Sequence, residues 1–316
     1  MDFEDVFSPK FAEKITFSKV LDLIDNPYQV FGSKLENSFT GAKVILKATQ
    51  YDIAFIDTGR NDIAEAINTV KAGIIFCDEQ IMEIIKEKLE SYVSVIVVSN
   101  PKLVYSNLIF SLTKSQSQPE IHKTSVIGEN TSIHASASIG EFCVIGDNVT
   151  IGKNTRISSH CFIGKNVYIG NNVNISSGAR IGNDGFGYIY DDNNQVTNFP
   201  HIGGVIIEDF VDIGANSCID RGGLGNTHLK EGCKLDNLVH IAHNVIVGRQ
   251  TFITANTMIA GSTTIGDNAY IAPSASIKDG LSIEANSFVG IGAALTKNIS
   301  AGETWAGNPA RKLRTT

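Results

Sequence analysis

The chain has 316 residues, a length suited to two domains plus a tail, and its 42% apolar and 19% charged content is that of a folded globular protein. Its net charge is −7 with no Lys/Arg-rich run, which removes the electrostatic basis for nucleic-acid binding. No stretch approaches 18 consecutive apolar residues and the acidic start Met1-Asp2-Phe3-Glu4-Asp5 lacks an apolar core, so neither a transmembrane segment nor a secretory signal is expected, and a cytoplasmic location follows.

In residues 1–115, short β-like runs at 53–56, 73–77 and 93–98 alternate with helix-like stretches at 63–72, 79–89 and 102–112. The alternation predicts a small α/β domain, either a folding cap or a substrate-recognition domain. Asn100-Pro101 reads as a turn followed by a helix start. The polar stretch 113–120 links this domain to the remainder of the chain.

From Ile121 to Ile181 an aliphatic residue returns every six residues. Many are followed by Gly and, two residues later, by Asn, as in IGENTS, IGDNVT, IGKNTR and IGNNVN. The phase breaks over 183–204, resumes at Ile207, Ile213 and Ile219, admits a four-residue insertion within 221–228, and runs again from Leu229 to Leu295. No α-helix has a period of six, and a flat strand needs no glycine at every sixth position. A short strand plus a tight turn does, because Gly and Asn tolerate positive φ. Three units close a triangular coil of 18 residues with the repeating Ile inward, and coils stack about 4.8 Å apart. Residues 116–300 are therefore expected to form a parallel β-helix, with 301–316 as a C-terminal tail. The spacing does not determine its hand.

Five cysteines occur (Cys77, Cys143, Cys161, Cys218, Cys233), without CxxC spacing. Cys143, Cys161 and Cys233 share one slot of the repeat, which suits small buried thiols better than disulfides or zinc.

A packed β-helix interior is inert, so chemistry is expected at the insertions and coil corners. Asp184, Phe186 and Tyr188, interleaved with Gly185 and Gly187, suit a loop whose backbone approaches a ligand; the same pattern is an ordinary bulge. Arg221 suits a carboxylate or phosphate, or a structural contact with an Asp. His243 lies two residues past an inward Ile, where a side chain faces out, and a neutral imidazole there could take a proton from a nucleophile. His240 and Asp236 are close in sequence. No third ligand stands at convincing spacing, so no metal is assigned.

Together, DGFGY (184–188), IGANSCIDRGGLGNT (213–227), LDNLVHIAHNV (235–245) and IAGS (259–262) resemble the UDP-3-O-acylglucosamine N-acyltransferases of lipid A biosynthesis, hexapeptide-repeat enzymes with left-handed coils. The resemblance implies a left-handed β-helix, a homotrimer with sites between subunits, and no bound cofactor. It implies N-acyl transfer from an acyl carrier protein or coenzyme A thioester to the 2-amino group of a nucleotide-linked amino sugar. His243 would be the general base, and a backbone amide would hold the oxyanion. Gly261 lies 18 residues after His243, one full coil, and is the matching candidate. Asp184, Phe186, Tyr188, Arg221, Asp236, His240 and Asn244 become substrate-binding candidates.

YDIAFI and VVSNPKLVY resemble the family's uridine-binding domain more loosely, with Phe55 as a uracil contact. Two positions depart: Asn61 stands where a tyrosine is expected six residues after Phe55, and Gly280 where a second histidine serves the lipid-bearing substrate. The ending AGNPARKLRTT lacks a basic helical extension and looks more like transferases that use coenzyme A, which makes Arg311 and Lys312 candidates for donor phosphates. The competing expectations are a coenzyme-A-dependent N-acyltransferase for surface polysaccharide and a non-catalytic trimeric sugar-binding scaffold.

Overall fold

The computed structural model describes residues 10–32, 38–59, 63–68, 70–113 and 119–315; Asn61 lies outside them. The chain divides into two compact units, Met1–Ser117 and Gln118–Thr316.

The first unit is a six-stranded sheet of β1 (Lys10–Thr16), β2 (Gln29–Gly32), β3 (Ser38–Ala42), β4 (Asp52–Phe55), β5 (Ile74–Cys77) and β6 (Ser94–Val97), ordered β1-β3-β4-β5-β6-β2. Strands β3 to β6 are parallel, and β1 and β2 join antiparallel at the two edges. Every residue of β5 and β6 is buried, which is why these strands read as unbroken apolar runs. Helices Ile63–Asn68, Glu79–Ile85 and Pro101–Thr113 follow β4, β5 and β6. The last two begin as their sequences suggest: Ile81 N–H donates to Asp78 Oδ1 at 2.8 Å and Leu103 N–H to Asn100 Oδ1 at 3.1 Å.

The second unit is a left-handed parallel β-helix. Its faces carry sheets of nine, eight and ten strands, mostly two residues long. The register is the 18-residue coil: Val144 pairs with Phe162 and Ile145 with Ile163. The repeating aliphatics form one continuous core. A second, smaller inward slot lies four residues after each, and Cys143, Val149, Thr155, Cys161 and Val173 occupy it. Its polar members are satisfied by the neighbouring coil: Thr155 Oγ1 donates to Gly170 O at 2.8 Å, and the thiols of Cys143 and Cys161 to Ser158 O and Ser176 O at 3.1 and 3.2 Å. These cysteines are buried and free.

One expectation is corrected. The left-handed backbone position of the repeat is held by Asn, not by the Gly after Ile: Asn130, Asn148, Asn154, Asn166 and Asn172 have φ between 53° and 59°. The Gly is there for clearance. A Cβ on Gly146 would lie 2.8 Å from Gly164 C and Lys165 N of the next coil, closer than stacked backbones permit.

The first interruption projects as a hairpin, Tyr188–Tyr190 paired antiparallel with Val196–Asn198. The second, residues 221–226, packs against its base, with Ile202 N–H and Gly203 N–H donating to Gly223 O at 2.8 and 2.9 Å. The expected tail is also structured: Glu303–Ala306 extends the third face beyond Phe288, and Arg311–Thr315 folds back on it antiparallel. Among the described residues no helix is long and apolar enough to cross a membrane.

Candidate active site

Inward packing of Ile241 and Ile259 fixes the corners that follow them. His243 and Gly261 each lie two residues past such an anchor, so they stack on successive coils, and Ser262 N–H donates to His243 O at 2.9 Å. A Cβ on Gly261 would lie 2.6 Å from the imidazole Cε1 and 2.7 Å from Nε2. Only glycine leaves the ring in place.

At several corners the amide two residues past an inward aliphatic is capped by the coil above. Glu129 N–H donates to Asp147 Oδ1 at 2.8 Å, Asn171 N–H to Asp209 Oδ1 at 2.7 Å, and Arg249 N–H to Asp267 Oδ1 at 2.8 Å. Gly261 N–H donates to none of the described residues. An unpaired amide thus stands beside an imidazole.

Asn244, at φ 60°, places its side chain at the imidazole's other nitrogen. Gly223 N–H donates to Asn244 Oδ1 at 2.9 Å, leaving Nδ2 facing His243 Nδ1 at 3.1 Å. A carboxamide NH2 can only donate, so Nδ1 accepts and the neutral ring carries its proton on Nε2. Both ends of the Asn244 side chain are engaged within the chain.

A second imidazole belongs to the site. His201, buried at the end of the first insertion, meets His243 with ring centroids 5.3 Å apart at 66°. Two glycines admit it. A Cβ on Gly185 would lie 2.9 Å from His243 Cδ2 and 3.0 Å from His201 Nε2, and one on Gly187 2.6 Å from His201 Cε1. The DGFGY glycines thus approach two imidazoles. Burial, and then the charge of His201, hold His243 below the ordinary histidine range. The ring is therefore a neutral acceptor at pH 7. Sequence spacing missed His201 because it lies in a loop without the repeat's phase.

Asp220 sits behind, buried, its carboxyl pushed up to about 6 by burial. His240 Nε2 lies 3.6 Å from Asp220 Oδ2, and burial lowers the His240 pKa. The His240 side chain is 42% exposed beside Asp220. Arg221 is 3% exposed: its guanidinium donates to Lys165 O, stands 3.9 Å from Asp184 Oδ1, and leaves Nε without a partner among the described residues. It ties both insertions to the coil below. Phe186 and Tyr188 are exposed on the hairpin side, in edge-to-face contact at 4.9 Å. Asp236 stands at the preceding corner, its carboxylate accepting from Asn237 N–H at 2.7 Å, with no bond to His240 or His243. Gly280, at φ 67°, occupies the left-handed corner two coils above Asn244 and donates to Gly261 O at 2.9 Å. Among the described residues no three His, Cys, Asp or Glu side chains converge to hold a metal ion.

In the first unit, Phe55 meets Tyr105, with ring centroids 4.9 Å apart. They line a pocket of about 420 Å3 with Lys102, Ile109 and Phe110. Tyr105 belongs to the VVSNPKLVY stretch, and its partnership with Phe55 was not legible across 50 residues. At the C-terminal hairpin, Lys312 Nζ is 2.7 Å from Glu303 Oε1 and Arg311 Nη1 donates to Ala310 O at 3.0 Å.

Residues 124–159 match the bacterial transferase hexapeptide family model (six repeats). A UDP-3-O-acylglucosamine N-acyltransferase of Helicobacter hepaticus is 41% identical over 250 residues, 75% of each chain. The one of Caulobacter sp. is 42% identical over 134 residues, 42% of this chain and 39% of the relative, and a second from Legionella pneumophila is 55% identical over 76 residues, 24% and 22%. These two matches thus span less than half the relatives' length. Among solved structures, the UDP-N-acetylglucosamine O-acyltransferase of Moraxella catarrhalis superposes with a TM-score of 0.57 at 30% identity over 62% of this chain and 74% of that one. The UDP-N-acetylglucosamine acyltransferase of Francisella novicida gives 0.57 at 26% over 62% and 71%.

Proposed function

The chain belongs to the UDP-3-O-acylglucosamine N-acyltransferase family, and from that premise we propose that it transfers an acyl group from a thioester to the 2-amino group of UDP-3-O-acylglucosamine, with His243 as general base. The observation that carries the reading is the stacking of a neutral imidazole on Gly261, whose N–H has no partner among the described residues. A base and an oxyanion donor on adjacent coils are what acyl transfer to an amine requires.

The acceptor nitrogen attacks the thioester carbon and forms the C–N bond. The carbonyl electrons move onto oxygen, where Gly261 N–H donates to the oxyanion. His243 Nε2, the ring nitrogen nearest Gly261, takes the proton from nitrogen. Collapse of the intermediate breaks the C–S bond, and the imidazolium returns its proton to the thiolate. The donor is an acyl carrier protein thioester, the acceptor's nucleotide lies against Phe55, and the working form is a homotrimer of 34.0 kDa chains.

His243→Ala should lower kcat by roughly 10²–10⁴ with the fold retained; near-normal turnover would refute the base assignment. Turnover with acetyl coenzyme A and none with 3-hydroxyacyl carrier protein would replace the lipid A reading with a coenzyme-A-dependent amino-sugar acyltransferase. Binding of the nucleotide sugar without turnover of any thioester would leave a sugar-binding scaffold.

A further inference from the structure

We infer that Asn244 is a positioning residue that locks the resting His243 in the tautomer unable to act as base at Nε2, and that catalysis requires the Asn244 carboxamide to turn over. The inference rests on the reading of His243 as the base.

The geometry leaves one assignment. The Gly223 N–H is a donor, so the Asn244 atom 2.9 Å from it is the oxygen. The atom 3.1 Å from His243 Nδ1 is then the NH2. A neutral imidazole has one N–H and one lone pair, and the lone pair is taken at Nδ1. The proton is therefore on Nε2, the nitrogen beside Gly261 where the lone pair is needed. Protonating the ring fully would set Nδ1–H against the Asn244 NH2, so the same contact opposes the imidazolium.

Release has a defined course. Half a turn about the terminal side-chain torsion of Asn244 exchanges NH2 and oxygen, so that Oδ1 accepts from His243 Nδ1–H. The Nε2 proton leaves to water and another arrives from water at Nδ1, which balances the change. The cost is the bond to Gly223 N–H, which would then face NH2. Gly223 must shift with the amide, and its carbonyl is held by Ile202 N–H and Gly203 N–H. The two insertions thus form the latch. They are also departures from the regular coil.

The groups facing the His243 ring are His201 from the first insertion, Asn244 from its own corner, Gly185 and Gly261. The charged neighbours behind them are Asp184, Asp220 and Arg221, with Asp279 on the coil above Gly261. None of the carboxylates is bonded to the ring, so none competes with Asn244 in choosing the tautomer.

The test is imidazole 15N NMR of the full-length, 15N-histidine-labelled protein without substrate, on wild type and Asn244→Asp. Aspartate accepts at both oxygens, so it keeps the Gly223 N–H bond and accepts from Nδ1–H. The expected result is a wild-type His243 protonated on Nε2 and a variant protonated on Nδ1. The acid limb of kcat/KM should move to higher pH in the variant. On its plateau the rate should rise about fivefold, the equilibrium weight of one neutral hydrogen bond. A wild-type His243 protonated on Nδ1 would overturn the inference, as would a variant with unchanged tautomer and limb. The substrate-free spectrum needs no variant to fold. It is also independent of His243→Ala, so loss of the base reading and loss of the lock are separate results.

Discussion

Gly261 and His243 stand on successive coils with a gap too small for a methyl group, since a Cβ on Gly261 would meet the imidazole at 2.6 Å. Gly261 has no left-handed φ, so alanine meets no backbone penalty there and the ring is the obstacle. Gly261→Ala should displace His243 and lower kcat by roughly 10²–10³, the effect of losing base geometry and an oxyanion donor. The melting temperature should barely move, because the displaced ring lies at a corner outside the core. Unchanged kcat would show that the stack plays no part in the chemistry.

His201 supplies the second prediction. Burial and the His201 charge keep His243 below the usual histidine value of about 6.5. His201→Gln removes the charge. The His243 pKa should rise, and with it the acid limb of kcat/KM, because the base works only when deprotonated. At low pH the variant should lose a larger share of its activity than wild type. A limb that stays put or moves to lower pH would contradict a repulsive pair.

The hexad, the coil length and the His243–Gly261 stack were legible in the sequence for one reason: inside a regular coil, sequence separation is a spatial coordinate. Eighteen residues mean one coil wherever the phase holds. Where it breaks, spacing carries no geometry, and there His201 and the Gly223–Asn244 bond went unread. Asp236 shows the converse. It is seven residues from His243, but successive corners of a triangular coil face different ways, so sequence proximity gives no bond between the two. The edge strands Lys10–Thr16 and Gln29–Gly32 were missed because one side is exposed, unlike the buried runs of β5 and β6. Tyr105 lay hidden because the contact of helix Pro101–Thr113 with β4 has no periodic signature.

Asp220 makes stability depend on pH. Its carboxyl is pushed up to about 6 by burial, from an ordinary value of 3.8. Between those values the folded chain holds a proton that the unfolded chain has lost. Stability therefore falls as pH rises through this window, and the cost is complete above it. Asp220→Asn should stabilise the protein at pH 7.5 by up to roughly 3 kcal/mol, and not at pH 3.5. Thermal unfolding at the two values checks this; an equal shift at both would mean that the carboxylate is not strained by burial.

The last prediction concerns the corners that carry the fold. Asn recurs at the left-handed position because its short polar side chain tolerates positive φ, whereas Leu238 holds the same position at φ 60° with its side chain more than half exposed. A branched side chain there costs about 1–2 kcal/mol, and exposure means that little burial is lost on replacing it. Leu238→Asn should therefore stabilise the chain by roughly 1 kcal/mol, about 2–4 °C in melting temperature for a domain of this size. Asn148→Val, which puts a β-branched side chain at φ 56°, should lower it by at least as much. If both substitutions shifted the melting temperature in the same direction, the corner residue would not be setting the backbone strain of the coil.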